Sequence, residues 1–237
     1  MKLCFAGTNA RKSLFQNRLH ELRFVLESHY YLNPWQAEQI KDIEHFMLDS
    51  GAFTFLNSKK SVDIDEYVEG YINFINEYDV QHFFELDIDS IVGYEEVKKL
   101  RSRIERRTKK RCIPVWHKSR GIKEFHKLCK KYDYLAIGGI VTKEIERHEH
   151  FLLNAFCDLA KSYDCKLHGL GFTPPNLKEY RFYSVDSTSW LAGARFGRLY
   201  EFADGKLRST KQTEKMHYLE YDRRNIEQFL KFQQFLL

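Results

Sequence analysis

Short apolar runs rich in β-branched and aromatic residues alternate with longer amphipathic stretches along this chain. The short runs predict β-strands, and the longer ones, with apolar residues three and four positions apart, predict helices. The predicted strands are Lys2–Thr8, Phe46–Leu48, His82–Ile88, Cys112–Trp116, Tyr134–Ile137, Lys166–Leu170, Phe182–Val185 and Arg198–Phe202. The predicted helices are Ala10–Tyr30, Pro34–His45, Asp63–Tyr78, Tyr94–Lys110, Ile122–Lys131, Lys143–Tyr163 and Asp222–Leu236, with one helical turn at Asn176–Tyr180.

Repeated strand-then-helix order is typical of a parallel sheet. About eight such units in a chain of 237 residues predict an α/β fold, a closed (β/α)8 TIM-like barrel. No linker or change of composition interrupts the order, so residues 1–237 are expected to form a single domain. An open doubly wound sheet is the second candidate, but the phosphate-binding G-x-G-x-x-G turn of that fold is missing, since Gly7 stands alone after the first strand.

Composition narrows the class of protein. The chain is 43% apolar and 30% charged, which excludes the disordered and low-complexity classes. We expect no signal peptide, because the apolar segment at the N-terminus is short, and no apolar stretch reaches the ~20 residues that a membrane helix needs. The five cysteines are spaced singly, which favours a reducing compartment, so the expected location is the cytoplasm, with no membrane partner. The net charge of +5 permits a polyanionic partner without requiring one.

Polar residues collect where the predicted strands end. In a parallel barrel these ends lie at the same mouth, where active sites are found. Any one of these residues is also a common helix cap or turn residue, so the joint pattern carries the inference. The strand ends are Asp49-Ser50-Gly51, Glu85-Leu86-Asp87-Ile88-Asp89, Trp116-His117-Lys118, Gly138-Gly139, His168-Gly169-Leu170-Gly171 and Asp186-Ser187.

These residue types suit chemistry at the anomeric carbon of a sugar. One carboxylate can attack C1′ and hold a glycosyl-enzyme, while a second transfers a proton to and from the leaving group. Paired glycines let a flat ring approach backbone amides, and carboxylates accept hydrogen bonds from the N–H groups of a purine. The residues alone therefore indicate a barrel with an acidic site and glycosyl transfer.

At these positions the sequence resembles the tRNA-guanine transglycosylase superfamily. The matching segments follow one another in the family's order between about residues 46 and 198. They are Leu48-Asp49-Ser50-Gly51-Ala52-Phe53, Phe84-Glu85-Leu86-Asp87, Trp116-His117, Ile137-Gly138-Gly139-Ile140, Leu167-His168-Gly169-Leu170-Gly171 and Tyr183-Ser184-Val185-Asp186-Ser187.

The resemblance implies a role for each segment. Asp186 falls at the family's nucleophile and Asp49 at its proton shuttle. The residues that it places around the base are Ser50, Gly51, Asp87, His117, Gly138, Gly139, Ile140, His168 and Gly169. Phe53 and Trp116 are candidates to stack on the base. No cofactor and no metal are implied.

The departures from the family point to one branch of it. The tRNA enzymes carry a zinc cluster of cysteines and a histidine near the C-terminus, and nothing like it follows Cys165. Ala52 stands in place of a glycine, and His117 in place of a base-contacting glutamine. The compact, zinc-less chain is most similar to phage and bacterial DNA-guanine transglycosylases, which replace guanine in DNA with a 7-deazaguanine. The expected partners are therefore DNA and a 7-deazaguanine base, such as 7-cyano-7-deazaguanine, bound by a monomer.

Two groups of cations are candidates for DNA phosphates. Arg195 and Arg198 follow the proposed nucleophile in the sequence. The basic stretch from Lys98 to Arg111, including Arg101, is either a solvated outer helix or a phosphate-binding surface.

Three alternative functions stay open at this point. A tRNA substrate is the nearest. A metal-dependent barrel hydrolase acting on nucleic acid would use Asp87, Asp89, His117 and His168 as ligands, since Glu85, Asp87 and Asp89 would share one face of a continuing strand. A nucleic-acid-binding protein without activity is the third. His148 and His150 resemble a metal pair, but on a helix they would point apart.

Overall fold

The computed structural model describes residues 1–51, 54, 63–212 and 216–237. The chain divides into two compact units. The small unit is Gly7–Trp116, and the large unit is Met1–Ala6 together with His117–Leu237. Both have parallel strands alternating with helices, so the α/β class is confirmed. The single domain expected from the sequence stays a prediction.

The described strands are numbered in chain order. They are β1 (Lys2–Ala6), β2 (Phe24–Ser28), β3 (His45–Asp49), β4 (His82–Phe83), β5 (Val115–Trp116), β6 (Tyr134–Ile137), β7 (Lys166–Gly169), β8 (Ser184–Ser187), β9 (Arg198–Ala203) and β10 (Lys206–Lys211). The described α-helices are α1 (Lys12–Phe15), α2 (Pro34–Ala37), α3 (Ile64–Glu77), α4 (Asp89–Val92), α5 (Tyr94–Thr108), α6 (Gly121–Lys131), α7 (Leu153–Lys161), α8 (Ala192–Phe196) and α9 (Tyr218–Leu236). No helix in this part of the chain is long and apolar enough to cross a lipid bilayer.

In the small unit, β3 lies between β2 and β4 and pairs in parallel with both. Helix α3 begins at an Asp63 cap, whose carboxylate accepts hydrogen bonds from the N–H groups of Asp65 and Glu66. Its apolar residues recur every three or four positions, so they form one buried face. That face consists of Val68, Tyr71, Ile72 and Ile75.

In the large unit, four parallel strands lie in the order β1, β8, β7, β6. Two buried side chains donate hydrogen bonds to the backbone of β1. The Trp190 indole N–H donates to the Ala6 carbonyl, and the Gln233 amide of α9 donates to the Leu3 carbonyl. Strands β9 and β10 form an antiparallel hairpin, which the sequence analysis did not predict.

Several predicted boundaries are wrong. The helix predicted at Ala10–Tyr30 contains strand β2 instead, because Arg23 takes a positive φ of 60° and the run after it is buried on both faces. The strand predicted at His82–Ile88 ends at Phe83, and the helix predicted at Lys143–Tyr163 is a 3-10 turn at Arg147–Leu152 followed by α7.

The carboxyl group of Glu27, on β2, is buried within the small unit. Glu27 Oε1 accepts hydrogen bonds from the Thr8 N–H at 2.8 Å and the Thr8 hydroxyl at 2.5 Å, and Gln36 donates to the same hydroxyl. Burial raises the pKa of Glu27 to about 7, and the hydrogen bonds from Thr8 offset only part of that effect. Glu27 is therefore a pH-dependent element of the fold.

We expect the free energy of unfolding to fall as the pH rises from about 4.5 to 7. In that window folded Glu27 keeps its proton while unfolded Glu27 has lost it, so the folded state binds more protons. The full effect is on the order of 3 kcal/mol by the ~1.4 kcal/mol that each pKa unit represents. Urea unfolding at pH 5 and pH 8 should show this fall in the wild type and in Glu38→Gln, an exposed control, and much less of it in Glu27→Gln. Identical pH profiles for wild type and Glu27→Gln would overturn the assignment.

Candidate active site

The carboxylate of Asp186 lies at the end of β8, in the large unit. Only 8% of the residue is exposed. Its Oδ1 atom accepts a hydrogen bond from the Gly171 N–H at 2.7 Å and lies 3.2 Å from Nε2 of His168. Two partners thus hold Oδ1, while Oδ2 has no hydrogen bond to any residue that the structure describes. A carboxylate held in this way can attack a carbon through Oδ2.

The side chain of His168 is fully buried. It lies on β7 with no exposed surface, and its Nδ1 atom is 2.6 Å from the Ser184 hydroxyl of β8. That hydroxyl is in turn 2.5 Å from the phenol oxygen of Tyr134 on β6. Ser184 and Asp186 are two positions apart on β8, so both face His168.

These contacts change the role expected for His168. The resemblance placed it among the base-binding residues, and the hydrolase alternative made it a metal ligand. Both of its ring nitrogens are occupied by partners within the protein, at Ser184 and Asp186. A metal would have to displace one of them, so His168 does not fit a ligand set.

The turn after β7 brings a backbone amide to Asp186. Gly171 has a positive φ of 64°, and a Cβ atom there would lie 2.4 Å from Cγ2 of Val141. The positive φ favours glycine at this position, and a side chain there would have to displace Val141. Gly169, which the sequence analysis placed beside the base, is tightly packed against Phe172 and Phe182.

Cys4 is the register partner of Asp186 on the neighbouring strand β1. Burial, and then the charge of Asp186, raise the pKa of the Cys4 thiol well above its usual range. Cys4 therefore stays a thiol, which is a poor nucleophile.

A second polar group surrounds the glycine pair after β6. Gly139 has a positive φ of 79°, and a Cβ atom there would lie 2.7 Å from an oxygen of Glu144. The Gly139 carbonyl accepts hydrogen bonds from the N–H groups of Glu144 and Ile145. Gly138 is buried beside it and Ile140 is partly exposed.

The carboxylate of Glu144 orients His117. It lies 2.8 Å from His117 Nδ1 and accepts the Ser119 N–H at 2.7 Å. Burial works against ionisation, but these hydrogen bonds outweigh it and lower the pKa of Glu144. An ionised Glu144 accepts a hydrogen bond from Nδ1–H, and in the neutral ring Nε2 is then the acceptor atom. The sequence analysis missed Glu144.

In the small unit, Asp49 ends strand β3. Its Oδ2 atom accepts the Gly51 N–H at 3.1 Å, and the Tyr67 hydroxyl donates to the Ser50 carbonyl at 2.6 Å. Burial, and then the charge of Asp49, raise the pKa of Tyr67 far above its usual range, so Tyr67 stays a hydrogen-bond donor. Ala52 and Phe53, the rest of this predicted segment, lie outside the described residues.

Two buried hydroxyl groups lie around the same strand ends. The hydroxyls of Ser28 and Ser50 have no hydrogen-bond partner among the residues that the structure describes. Gly51 has a positive φ of 80°, and a Cβ atom there would lie 2.9 Å from the Ser28 hydroxyl. Buried polar atoms are usually satisfied, so these hydroxyls are candidates to bind a polar ligand.

The carboxylates near Asp87 do not share a strand face as predicted. The strand ends at Phe83, Asp87 lies in the following loop, and Asp89 begins α4. Glu85 has no exposed surface, and its Oε2 atom lies 3.1 Å from a guanidinium nitrogen of Arg101. Glu85 is therefore neutralised within the protein.

The position of Arg101 does not fit the contact with DNA predicted for it. Only 5% of the residue is exposed, and its guanidinium faces Glu85 inside the small unit. Lys98 keeps an exposed side chain but pairs with Glu95 at 2.6 Å. Further cations of α5 pair with acidic residues: Lys99 with Glu96, and Arg103 and Arg107 with Glu69. These pairs favour the solvated-helix interpretation of the basic stretch.

Arg195 and Arg198 lie differently, at a cavity of about 280 Å³ in the large unit. Neither guanidinium pairs with a carboxylate of the described residues, and Arg198 donates to the Ser209 hydroxyl at 3.1 Å. The cavity wall also includes the hydroxyls of Thr188 and Ser189 and the exposed ring of Phe196. Cations, hydroxyls and an aromatic ring suit a phosphate with a neighbouring base.

His148 and His150 lie in the 3-10 turn rather than in a long helix. His148 is next to Glu146, and the His150 ring packs edge-on against Phe172. They do not form a metal pair with each other.

No protein-family model matches this chain, and no curated protein matches it at a significant level.

Proposed function

We propose that the protein is a DNA-guanine transglycosylase that replaces guanine in DNA with a 7-deazaguanine through a covalent aspartyl-glycosyl intermediate. The observation that carries the proposal is the geometry of Asp186. One of its oxygens is held by Gly171 and His168, and the other has no partner among the described residues. The resemblance to the transglycosylases supplies the rest of the reaction.

The first half-reaction releases guanine. Oδ2 of Asp186 attacks C1′ of a deoxyguanosine, the bond between C1′ and N9 breaks, and its electron pair leaves with the base. Asp49 donates a proton to the departing guanine, as the resemblance assigns. The product is an ester between Asp186 and the DNA sugar.

The second half-reaction inserts the new base. Asp49 takes the N9 proton of the 7-deazaguanine, N9 attacks C1′, and the ester bond breaks to restore the Asp186 carboxylate. Two inversions at C1′ retain the β configuration. A base in duplex DNA must first be flipped out of the helix, or the substrate must be single-stranded.

Base recognition follows from the resemblance and from the local geometry of each group. His117, oriented by Glu144, presents Nε2 to the base, and the N–H of Gly139 lies in the turn beside it. Asp87, Ser50 and the backbone of Gly138 and Ile140 complete the proposed set. Closure of the parallel strands into a (β/α)8 barrel, action as a monomer and a cytoplasmic location belong to the same proposal.

Arg195 and Arg198 are expected to contact phosphates beside the flipped nucleotide. Replacing either one with alanine should weaken DNA binding and reduce the slope of log affinity against log salt by about one. Fluorescence anisotropy of a labelled oligonucleotide over a salt series measures both effects. Arg224→Ala is the matched control, because its guanidinium pairs with Glu220 at 2.7 Å. An unchanged slope in both test variants would remove these arginines from the DNA interface.

Release of labelled guanine tests the proposal and its nearest alternatives. DNA and tRNA carrying labelled guanine are each incubated with 7-cyano-7-deazaguanine and the protein. Release from DNA, lost in Asp186→Ala and Asp49→Ala, supports the proposal, whereas release from tRNA alone moves the protein to the tRNA branch. No release from either substrate overturns base exchange, and a stoichiometric metal in the same preparation then favours the hydrolase.

A further inference from the structure

A chain of four buried side chains runs across three strands of the large unit. It joins Tyr134 of β6, Ser184 of β8, His168 of β7 and Asp186 of β8, with successive distances of 2.5, 2.6 and 3.2 Å. The first three residues are at most 5% exposed. Only Asp186, at the end of the chain, is proposed to touch substrate. The sequence analysis assigned nothing to Tyr134 or Ser184.

The donors and acceptors along this chain can be assigned from one end to the other. An ionised Asp186 only accepts hydrogen bonds, so Nε2 of His168 must carry a proton. In the neutral ring that carries its proton on Nε2, Nδ1 is an acceptor. Ser184 then donates its only hydroxyl proton to Nδ1. The remaining contact requires Tyr134 to donate to the Ser184 oxygen.

We propose that Tyr134 and Ser184 are positioning residues that fix His168 as the neutral Nε2–H tautomer and thereby hold Asp186 for attack through Oδ2. The catalytic meaning of this chain rests on the proposed function, but the tautomer does not. With the opposite tautomer, Nε2 would face the carboxylate as a second acceptor and repel it. Of the two hydrogen bonds that hold Oδ1, the one from the Gly171 N–H would then remain, and the carboxylate could rotate away from the reacting carbon.

Burial keeps Tyr134 as the hydrogen-bond donor at the start of this chain. The pKa of Tyr134 is raised well above its usual range, chiefly by burial, so the phenol keeps its proton at all ordinary pH values. The ring of Tyr183 packs edge-on against the Tyr134 ring at 5.5 Å, but the Tyr183 hydroxyl is not part of the chain. Tyr183→Phe therefore changes the same neighbourhood without removing a chain member.

The test combines a spectroscopic readout with a kinetic one. Long-range proton–nitrogen NMR spectra of protein labelled with ¹⁵N-histidine distinguish the two neutral tautomers and the imidazolium, and His168→Gln assigns the resonance. We expect the Nε2–H tautomer in the wild type and in Tyr183→Phe, and a mixture or the other tautomer in Ser184→Ala. Base exchange should fall roughly 10- to 100-fold in kcat in Ser184→Ala and Tyr134→Phe, with little change in the KM for DNA.

The outcomes separate this proposal from the proposed function. An imidazolium or an Nδ1–H tautomer in the wild type would overturn it, and so would an unchanged tautomer and kcat in the variants. If Ser184→Ala fails to fold, Tyr134→Phe, which keeps the ring, carries both measurements. The Nε2–H tautomer in a wild type that exchanges no base would support the chain and overturn the transglycosylase assignment instead.

Discussion

Replacing Asp186 with asparagine is expected to reduce guanine exchange in DNA by on the order of 10⁴-fold or more, the scale on which loss of a covalent nucleophile acts. Asparagine has the same shape, and its amide oxygen can accept the hydrogen bonds from Gly171 and His168. The amide nitrogen that replaces Oδ2 cannot form the ester. The variant should therefore fold and bind DNA while losing kcat.

Asp158→Asn is the control for this variant, since Asp158 is an exposed residue that pairs with Arg181 on the surface. It should exchange guanine at the wild-type rate. Steady-state kinetics and DNA-binding affinity are measured for all three proteins. Exchange by Asp186→Asn within about tenfold of wild type would mean that another residue is the nucleophile.

Replacing Arg101 with methionine is expected to destabilise the protein by about 3–5 kcal/mol, because it leaves the buried carboxylate of Glu85 without its guanidinium partner. The Val115 N–H, which donates to Glu85 at 2.9 Å, is too weak a partner to compensate for that charge. The matched control is Arg103→Met on the same helix. Arg103 pairs with the more exposed Glu69, so its loss should cost no more than about 1 kcal/mol.

Urea unfolding measures both variants. The double variant Glu85→Leu with Arg101→Met should recover much of the stability, since apolar replacements of a buried ion pair are often tolerated. If Arg101→Met were no less stable than Arg103→Met but bound DNA more weakly, the side chain would be a surface contact and the burial argument would be wrong.

The burial of Arg101 was open to prediction from the sequence. Arg101 follows Val97 by four positions and precedes Ile104 by three, so helical periodicity places it on their buried face. The sequence analysis considered only the charges of the basic stretch and overlooked this periodicity. The hairpin of β9 and β10 was also open to prediction, because Asp204-Gly205 is a typical two-residue turn, and both residues have positive φ.

Strand β2 was harder to predict. Phe24, Val25 and Leu26 form a short apolar run inside a longer amphipathic pattern, and periodicity does not separate a buried strand from a helix segment of that length. The positive φ of Arg23, which separates the strand from the preceding turns, has no signature in that residue type.

The candidate site, too, could be predicted only in part from the sequence. Strand-end chemistry and the resemblance singled out Asp186, and the structure shows how its carboxylate is held. The contacts that hold it come from residues 15 and 18 positions earlier in the chain. Local patterns carry no information about such pairings, which depend on the register of β7 and β8. For this reason Tyr134, Ser184 and Glu144 were not identified from the sequence.

Detection of a covalent protein–DNA intermediate tests the central claim most directly. The protein is incubated with a guanine-containing oligonucleotide without the incoming base, quenched in acid, digested, and analysed by mass spectrometry. The account predicts a DNA sugar attached to the peptide that contains Asp186, absent in Asp186→Asn and lost when 7-cyano-7-deazaguanine is added before the quench. An adduct on another residue, or base exchange that proceeds with no adduct at all, would contradict it.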